Sequence, residues 1–168
     1  MSDSKILFIY PGESRRNRLQ AVTRSESPED FFYGYIELQK RNYNVEILNS
    51  RRKPKGFFDN IYLNHEIIRN RITNIGLSRG RVKAISNVIN DSKLAISFTD
   101  WFSINMGLYA KNYIHQSKIL LGGFHGLSDL PEKAGVLIRP KLVNIIKNAS
   151  KRLNHMFFFG EADRQESI

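Results

Sequence analysis

YIELQKRNYNVEIL, residues 35–48, is the stretch on which the reading of this chain turns. Tyr35, Ile36 and Leu38 continue an apolar stripe begun by Phe31 and Phe32 at helical spacing. Arg41-Asn42 then closes the helix, and 44–48 follows at once as an apolar, β-branched run of strand length. A helix that passes straight into such a strand is the second half of a βαβ unit, so a matching strand is expected upstream. Residues 5–10, KILFIY, supply it. Residues 94–98 (LAISF), 118–121 (KILL) and 155–159 (HMFFF) share its character, that of strands buried on both faces of a parallel sheet.

Helical patterns fill the spaces between. Ser27 as cap, Pro28 at the first helical position, and Glu29 and Asp30 at the positive end of the dipole mark the start of the first helix. Ile61, Ile68, Ile72 and Ile75 predict a second helix, and Val82, Ile85 and Ile89 a third, with Gly76 and Gly80 as punctuation. Asp100 is placed to cap a fourth, running to about Ile114. After the strand at 118–121, residues 122–131 read as a loop, and Pro140 starts a helix carrying Leu142, Ile145, Ile146, Ala149 and Leu153 on one face. The alternation predicts an α/β fold: one Rossmann-like domain over 1–168, a parallel sheet flanked by helices on both faces.

The composition narrows the class. With 41% hydrophobic residues in 168, the chain can bury a real core, and no apolar run approaches the roughly 20 residues of a membrane span. The first residues, MSDSK, lack the basic start and long apolar stretch of a secretory leader, so a cytoplasmic protein is expected. Absence of cysteine excludes disulfides, cysteine zinc sites and thiol nucleophiles. The net charge of +10 is concentrated: from Arg51 to Lys83 nine basic residues face only Asp59 and Glu66, leaving +7. Such a block suits phosphate on lipid, on nucleic acid or on a substrate, or simply a solvated surface. No helix-turn-helix or comparable signature accompanies it, so nucleic acid is not the expected partner.

In open parallel sheets ligands bind at the carboxyl ends of the strands, and that rule selects four loops. One is Pro11-Gly12-Glu13-Ser14, with Arg15, Arg16 and Arg18 beyond it. The others are Thr99-Asp100-Trp101, the segment GGFHGLSD at 122–129, and Gly160-Glu161-Ala162-Asp163. Gly122, Gly123 and Gly126 would let backbone approach a ligand, and His125 between them either acts as acid, base or hydroxyl partner or merely caps a turn. Asp100 is a helix cap or a carboxylate of the site. Trp101 fills space or stacks on a sugar face, and Glu161 binds a polar ligand or favours a helix start. Gly12 is followed by no further glycines, so the dinucleotide fingerprint is missing, as is the Walker pattern.

KILFIYPG, YIELQKRNYNVEIL, ISFTDW, KILLGGFHGLSD and HMFFFGEADRQESI, in that order, resemble the N-terminal, acceptor-side domain of a GT-B-fold glycosyltransferase, closest to the family 4 group. The resemblance spans nearly the whole chain. It implies that this domain binds a sugar or lipid-linked acceptor while a second domain or subunit binds a nucleotide-sugar, the co-substrate, with no metal and no other cofactor. It implies that His125 lies near the acceptor hydroxyl and the transferring sugar, and that Gly12, with Glu13, Asp100, Trp101, Gly123, Gly126 and Glu161, borders the acceptor and donor. The chain departs from the pattern in its single first-loop glycine, in Gly160-Glu161 where Ser-Glu is usual, and in ending at Ile168, ahead of a donor-binding domain. Alone it is therefore expected to be inactive. Phe57 and Phe58 beside Arg51, Arg52, Lys53 and Lys55 suit contact with an anionic membrane, which implies peripheral placement at the inner face. The competing expectation is a non-catalytic Rossmann-like module that binds a nucleotide or a partner.

Overall fold

The computed structural model describes residues 4–14, 17–19, 32, 34–134, 138–160 and 165. Its elements are β1 (Ile6–Tyr10), α1 (Tyr35–Lys40), β2 (Val45–Asn49), α2 (Phe57–Thr73), α3 (Arg79–Asn90), β3 (Leu94–Ser97), α4 (Asp100–Tyr113), β4 (Ile119–Phe124), α5 (Asp129–Lys133), α6 (Arg139–Ser150) and β5 (His155–Phe158). The five strands form one sheet in the order β2-β1-β3-β4-β5, every pairing parallel. This is the Rossmann-like α/β architecture the alternation predicts. The chain steps outward from β1 to β2, then crosses back to β3 on the other side, so the winding reverses between β1 and β3.

Strand alternation divides the core between the two faces. Leu7 and Ile9 join Val82, Ile85 and Ile89 of α3, Ile104 and Met106 of α4, and Ala149 of α6. Phe8 and Tyr10 turn the other way, to Tyr35, Phe32, Ile47 and Phe98. That second face is mostly aromatic: Tyr10 and Phe98 stack with centroids 4.8 Å apart, and the Tyr10 hydroxyl donates to the Phe32 carbonyl oxygen at 2.9 Å.

The helix-to-strand passage closes as its residues suggest. Asn42 takes φ 61°, which asparagine tolerates, and the amides of Asn42 and Tyr43 donate to the carbonyls of Gln39 and Leu38. Tyr35 is buried, with Ile36 and Leu38 packed beside it. The helix itself begins at Tyr35, behind Gly34 at φ 85°. The start expected at Ser27, Pro28, Glu29 and Asp30, and Phe31 of the stripe, lie outside the described residues.

Three sequence expectations are corrected. First, residues 122–131 are not loop throughout: β4 runs on to Phe124, so Gly122 and Gly123 are strand residues, and the short helix α5 begins at Asp129. A Cβ on Gly122 would stand 2.6 Å from Leu153, and one on Gly123 2.6 Å from the Phe157 ring, so both glycines serve close packing over the strand. Second, Gly80 does not punctuate but sits in the first turn of α3. Third, α2 ends at Thr73, short of the buried Ile75, and its rotation turns the isoleucines within it away from the core. Leu63 and Glu66 are its buried residues, while Ile61, Ile68 and Ile72 face outward.

Glu66 explains the rotation. Its carboxylate accepts from the Ser78 hydroxyl at 2.7 Å and from the amides of Arg79 and Gly80 at 2.9 and 3.0 Å. Ser78 in turn accepts from the Arg81 amide. The open donors in the first turn of α3 are thus met by a side chain from the neighbouring helix.

Candidate functional site

A crevice of about 370 Å³ opens at the carboxyl ends of β1 and β3, where the winding reverses. This is the position at which doubly wound sheets leave room for a ligand, because the connections on either side diverge. Its walls are Tyr10, Pro11 and Ser14 after β1, Phe98, Thr99 and Asp100 after β3, His125 after β4, and Arg18. Hydroxyl, carboxylate, imidazole and guanidinium groups thus meet over an aromatic floor.

Asp100 organises this site from a position the sequence leaves ambiguous. Thr99, not Asp100, is the N-cap of α4, with no side-chain cap bond. The Asp100 carboxylate reaches across to the next loop instead, accepting from the His125 amide at 2.7 Å and from the Gly126 amide at 3.5 Å. The His125 ring lies flat on Phe159, with centroids 3.8 Å apart and planes within 4°. One face of the imidazole is thus covered, and His125 is among the residues that line the crevice. Replacing Asp100 with Ala removes the acceptor of the His125 amide, which is exposed and can turn to water; a loss of about 1 kcal/mol is expected, or roughly 2–4 °C in Tm, while Asp100→Asn, which keeps an acceptor oxygen, stays near wild type. Thermal denaturation of the two variants checks this.

Gly12 stands at φ 81°, a conformation for which glycine is suited, and its amide donates to Asn49 Oδ1 at 2.8 Å. Asn49 also accepts from the Arg51 amide and donates through Nδ2 to Glu13, both at 2.8 Å. Its side chain, at the end of β2, therefore ties the first loop to the start of the basic segment. Nothing in a single sequence marks an asparagine for that bridging role, and Asn49 escapes the sequence reading, as does Phe159 as the platform for His125.

The remaining candidates sit elsewhere. Trp101 is committed to packing: a Cβ on Gly76 would lie 2.3 Å from its ring, so it fills the space beneath the turn between α2 and α3. Gly123 is inside β4, as described above, and Gly126 follows His125 at the loop with its amide toward Asp100. Glu161 is outside the described residues. Arg51, Arg52, Lys53 and Lys55 are exposed, as are Phe57 and Phe58, which contact each other edge to face. His65, His115 and His155 are exposed and apart from the crevice.

The resolved ionisation shifts lie away from the crevice. Burial, with the charge of Arg51 adding to it, lowers the Arg81 guanidinium, and burial, reinforced by Glu66, raises the Tyr109 phenol. Among the described residues no three His, Asp or Glu side chains gather as metal ligands, and no helix is long and apolar enough to cross a membrane. No family model, no curated protein and no solved structure matches the chain.

Proposed function

We propose that this domain is the acceptor-binding half of a GT-B-type, family 4-like glycosyltransferase, which joins a sugar from a nucleotide-sugar to a glycan or lipid-linked acceptor in concert with a donor-binding domain. The crevice carries the reading: its rim of short polar groups suits a ligand made of hydroxyls, and it lies where a doubly wound sheet takes its ligand. His125 then holds a hydroxyl of the acceptor or of the transferring sugar through an in-plane nitrogen, with Asp100 fixing its backbone and Phe159 its ring. Arg18 contributes positive charge on the side where anionic leaving-group oxygens would be met. The proposal includes peripheral placement at the inner membrane face, supported by the exposed Arg51, Arg52, Lys53 and Lys55, the first of which is tied through Asn49 to the loop after β1.

The test has two arms. Titrating the isotope-labelled chain with mono- and disaccharides should shift the resonances of Ser14, Thr99 and His125, and His125→Ala should abolish the shifts without unfolding the protein. In an enzyme reconstituted with a donor-binding domain, His125→Ala should lower turnover by about a hundredfold or more. Saccharides that leave the crevice resonances unmoved, or full turnover in His125→Ala, would overturn the assignment. A second reading, a nucleotide-binding module without catalysis, draws on the same switch-point crevice, since the order β2-β1-β3-β4-β5 is one in which nucleotide cofactors occupy this position. Shifts caused by a nucleotide alone, with none from any saccharide, would favour it.

A further inference from the structure

Among the described residues, the rotation of α2 leaves an apolar face exposed. Phe57 is 74% exposed, Phe58 82%, Ile68 58% and Ile72 80%, and Ile61 and Tyr62 are about half exposed. Phe58, Ile61, Ile68 and Ile72 fall on one stripe of the helix, interrupted only by the exposed His65. At 17 residues the helix is about 25 Å long, so the stripe is a continuous strip and not a scatter of single side chains. Exposed cations flank it: Arg51, Arg52, Lys53 and Lys55 precede it, and Arg69 and Arg71 lie on its last turns. The acids of the segment are withdrawn, since Asp59 is bound to Lys83 at 2.7 Å and Glu66 is buried under α3.

We infer that this face is a lipid-docking surface, with α2 lying in the plane of an anionic bilayer, its stripe seated at the boundary between headgroups and acyl chains. An apolar strip edged with lysine and arginine is what such a surface requires: the strip supplies burial and the cations meet the lipid phosphates. Charge decides against a second copy as the occupant. A symmetric pairing through α2, parallel or antiparallel, would set its basic flanks, the residues at 51–55 and Arg69 and Arg71, against those of a second chain that also carries +10. The first turn of α2 lies on the carboxyl side of the sheet, and Asn49 holds the basic loop to the loop of Gly12 and Glu13. Docking on lipid deepens the membrane part of the proposed function, but lipid binding itself requires nothing in the crevice.

The experiment is flotation of the full chain with vesicles of phosphatidylcholine alone, and of equal parts phosphatidylcholine and phosphatidylglycerol. The chain should float with the mixed vesicles, bind phosphatidylcholine at least about tenfold more weakly, and lose binding in high salt. Ile68→Ser with Ile72→Ser should weaken binding about tenfold or more while leaving Tm unchanged, because both side chains are already in solvent. Arg51→Ser with Lys53→Ser should weaken it to a similar degree. In Phe58→Trp, emission should shift to the blue on adding mixed vesicles, against the constant background of the packed Trp101. Absence of flotation, equal binding to both lipids, or full binding by the isoleucine variant would each overturn the inference. So would a dimer, or capture by an acidic polypeptide, that depends on the isoleucines while vesicles do not bind. Saccharide titration without vesicles reads the crevice separately, so either proposal can fail alone.

Discussion

Glu66→Ala is expected to lower the stability of the chain by about 3–5 kcal/mol, enough to unfold much of the population of an ordinary domain. The carboxylate is 2% exposed and accepts the Ser78 hydroxyl and the amides of Arg79 and Gly80. Removing it leaves those donors buried without an acceptor, and each unsatisfied buried donor costs about 1–3 kcal/mol. No local group substitutes, because Ser78 already accepts from the Arg81 amide. Solvent reaches the site poorly too: the Cβ position of Gly80 is only 3.1 Å from Glu66 Oε2 and 3.4 Å from Leu63. Glu66→Gln keeps the volume and one acceptor oxygen but turns an amide donor toward other donors, so a smaller loss of about 1–2 kcal/mol is expected. Urea denaturation of both variants measures the difference. A cost below about 1 kcal/mol for alanine would mean that these contacts do not hold α2 against α3. The same pair tests the orientation of α2, since loss of Glu66 removes what turns its isoleucines outward.

Gly107→Val should be similarly severe, through the opposite fault. Gly107 is buried on α4, and a Cβ there would stand 2.3 Å from the main-chain oxygen of Ala149 on α6. In an open helix interior, replacing glycine with alanine gains about 1 kcal/mol of helix propensity. Here the obstacle is backbone, which no rotamer change can clear, so α6 must move bodily. Overpacking of this kind costs about 1–3 kcal/mol and sometimes more, so the clash outweighs the propensity gain. Gly107→Ala is accordingly expected to destabilise by about 1–2 kcal/mol net and Gly107→Val by about 3 kcal/mol or more. Trimming the opposing side chain with Ala149→Gly should give no rescue, because the contact is with the carbonyl. Thermal denaturation of the single and double variants decides it, and a neutral or stabilising Gly107→Ala would contradict the close approach of the two helices. The packing also bears on the crevice: α4 carries Asp100 at its start, and its Ser103 hydroxyl donates to the Gly123 carbonyl one residue before the end of β4. A displaced helix pair would therefore disturb the two loops that Asp100 joins.

Much of the architecture is legible in local pattern. All five strands occur where short apolar runs predict them, and the passage at residues 35–48 closes through Arg41 and Asn42 as its residues suggest. The rule that ligands meet parallel sheets at their carboxyl ends also selects the loops that contribute Pro11, Thr99, Asp100 and His125 to the crevice. Illegible parts share a cause. The isoleucines of α2 share one stripe, yet periodicity reports only which residues share a face, not which face meets the sheet. Asp100 reads as a cap because its position before a helix is visible, whereas the amide it binds lies 25 residues away. Gly122 and Gly123 read as loop because the side chains that need their missing Cβ atoms, Leu153 and Phe157, come from later in the chain.

By itself, then, the sequence determined the order of the strands and of the longer helices between them, the parallel sheet they must form, and the ends of the strands at which polar residues collect. Those properties follow from backbone propensity and from the spacing of apolar residues along one segment. The tertiary structure alone decided the strand order, which places the crevice between β1 and β3, the bridge from Asp100 to His125, and the outward turn of the apolar stripe on α2. Each of these depends on pairings and contacts between segments far apart in the chain. Hydrophobic pattern selects what is buried, but hydrogen-bond partners and close contacts select how the buried pieces are turned.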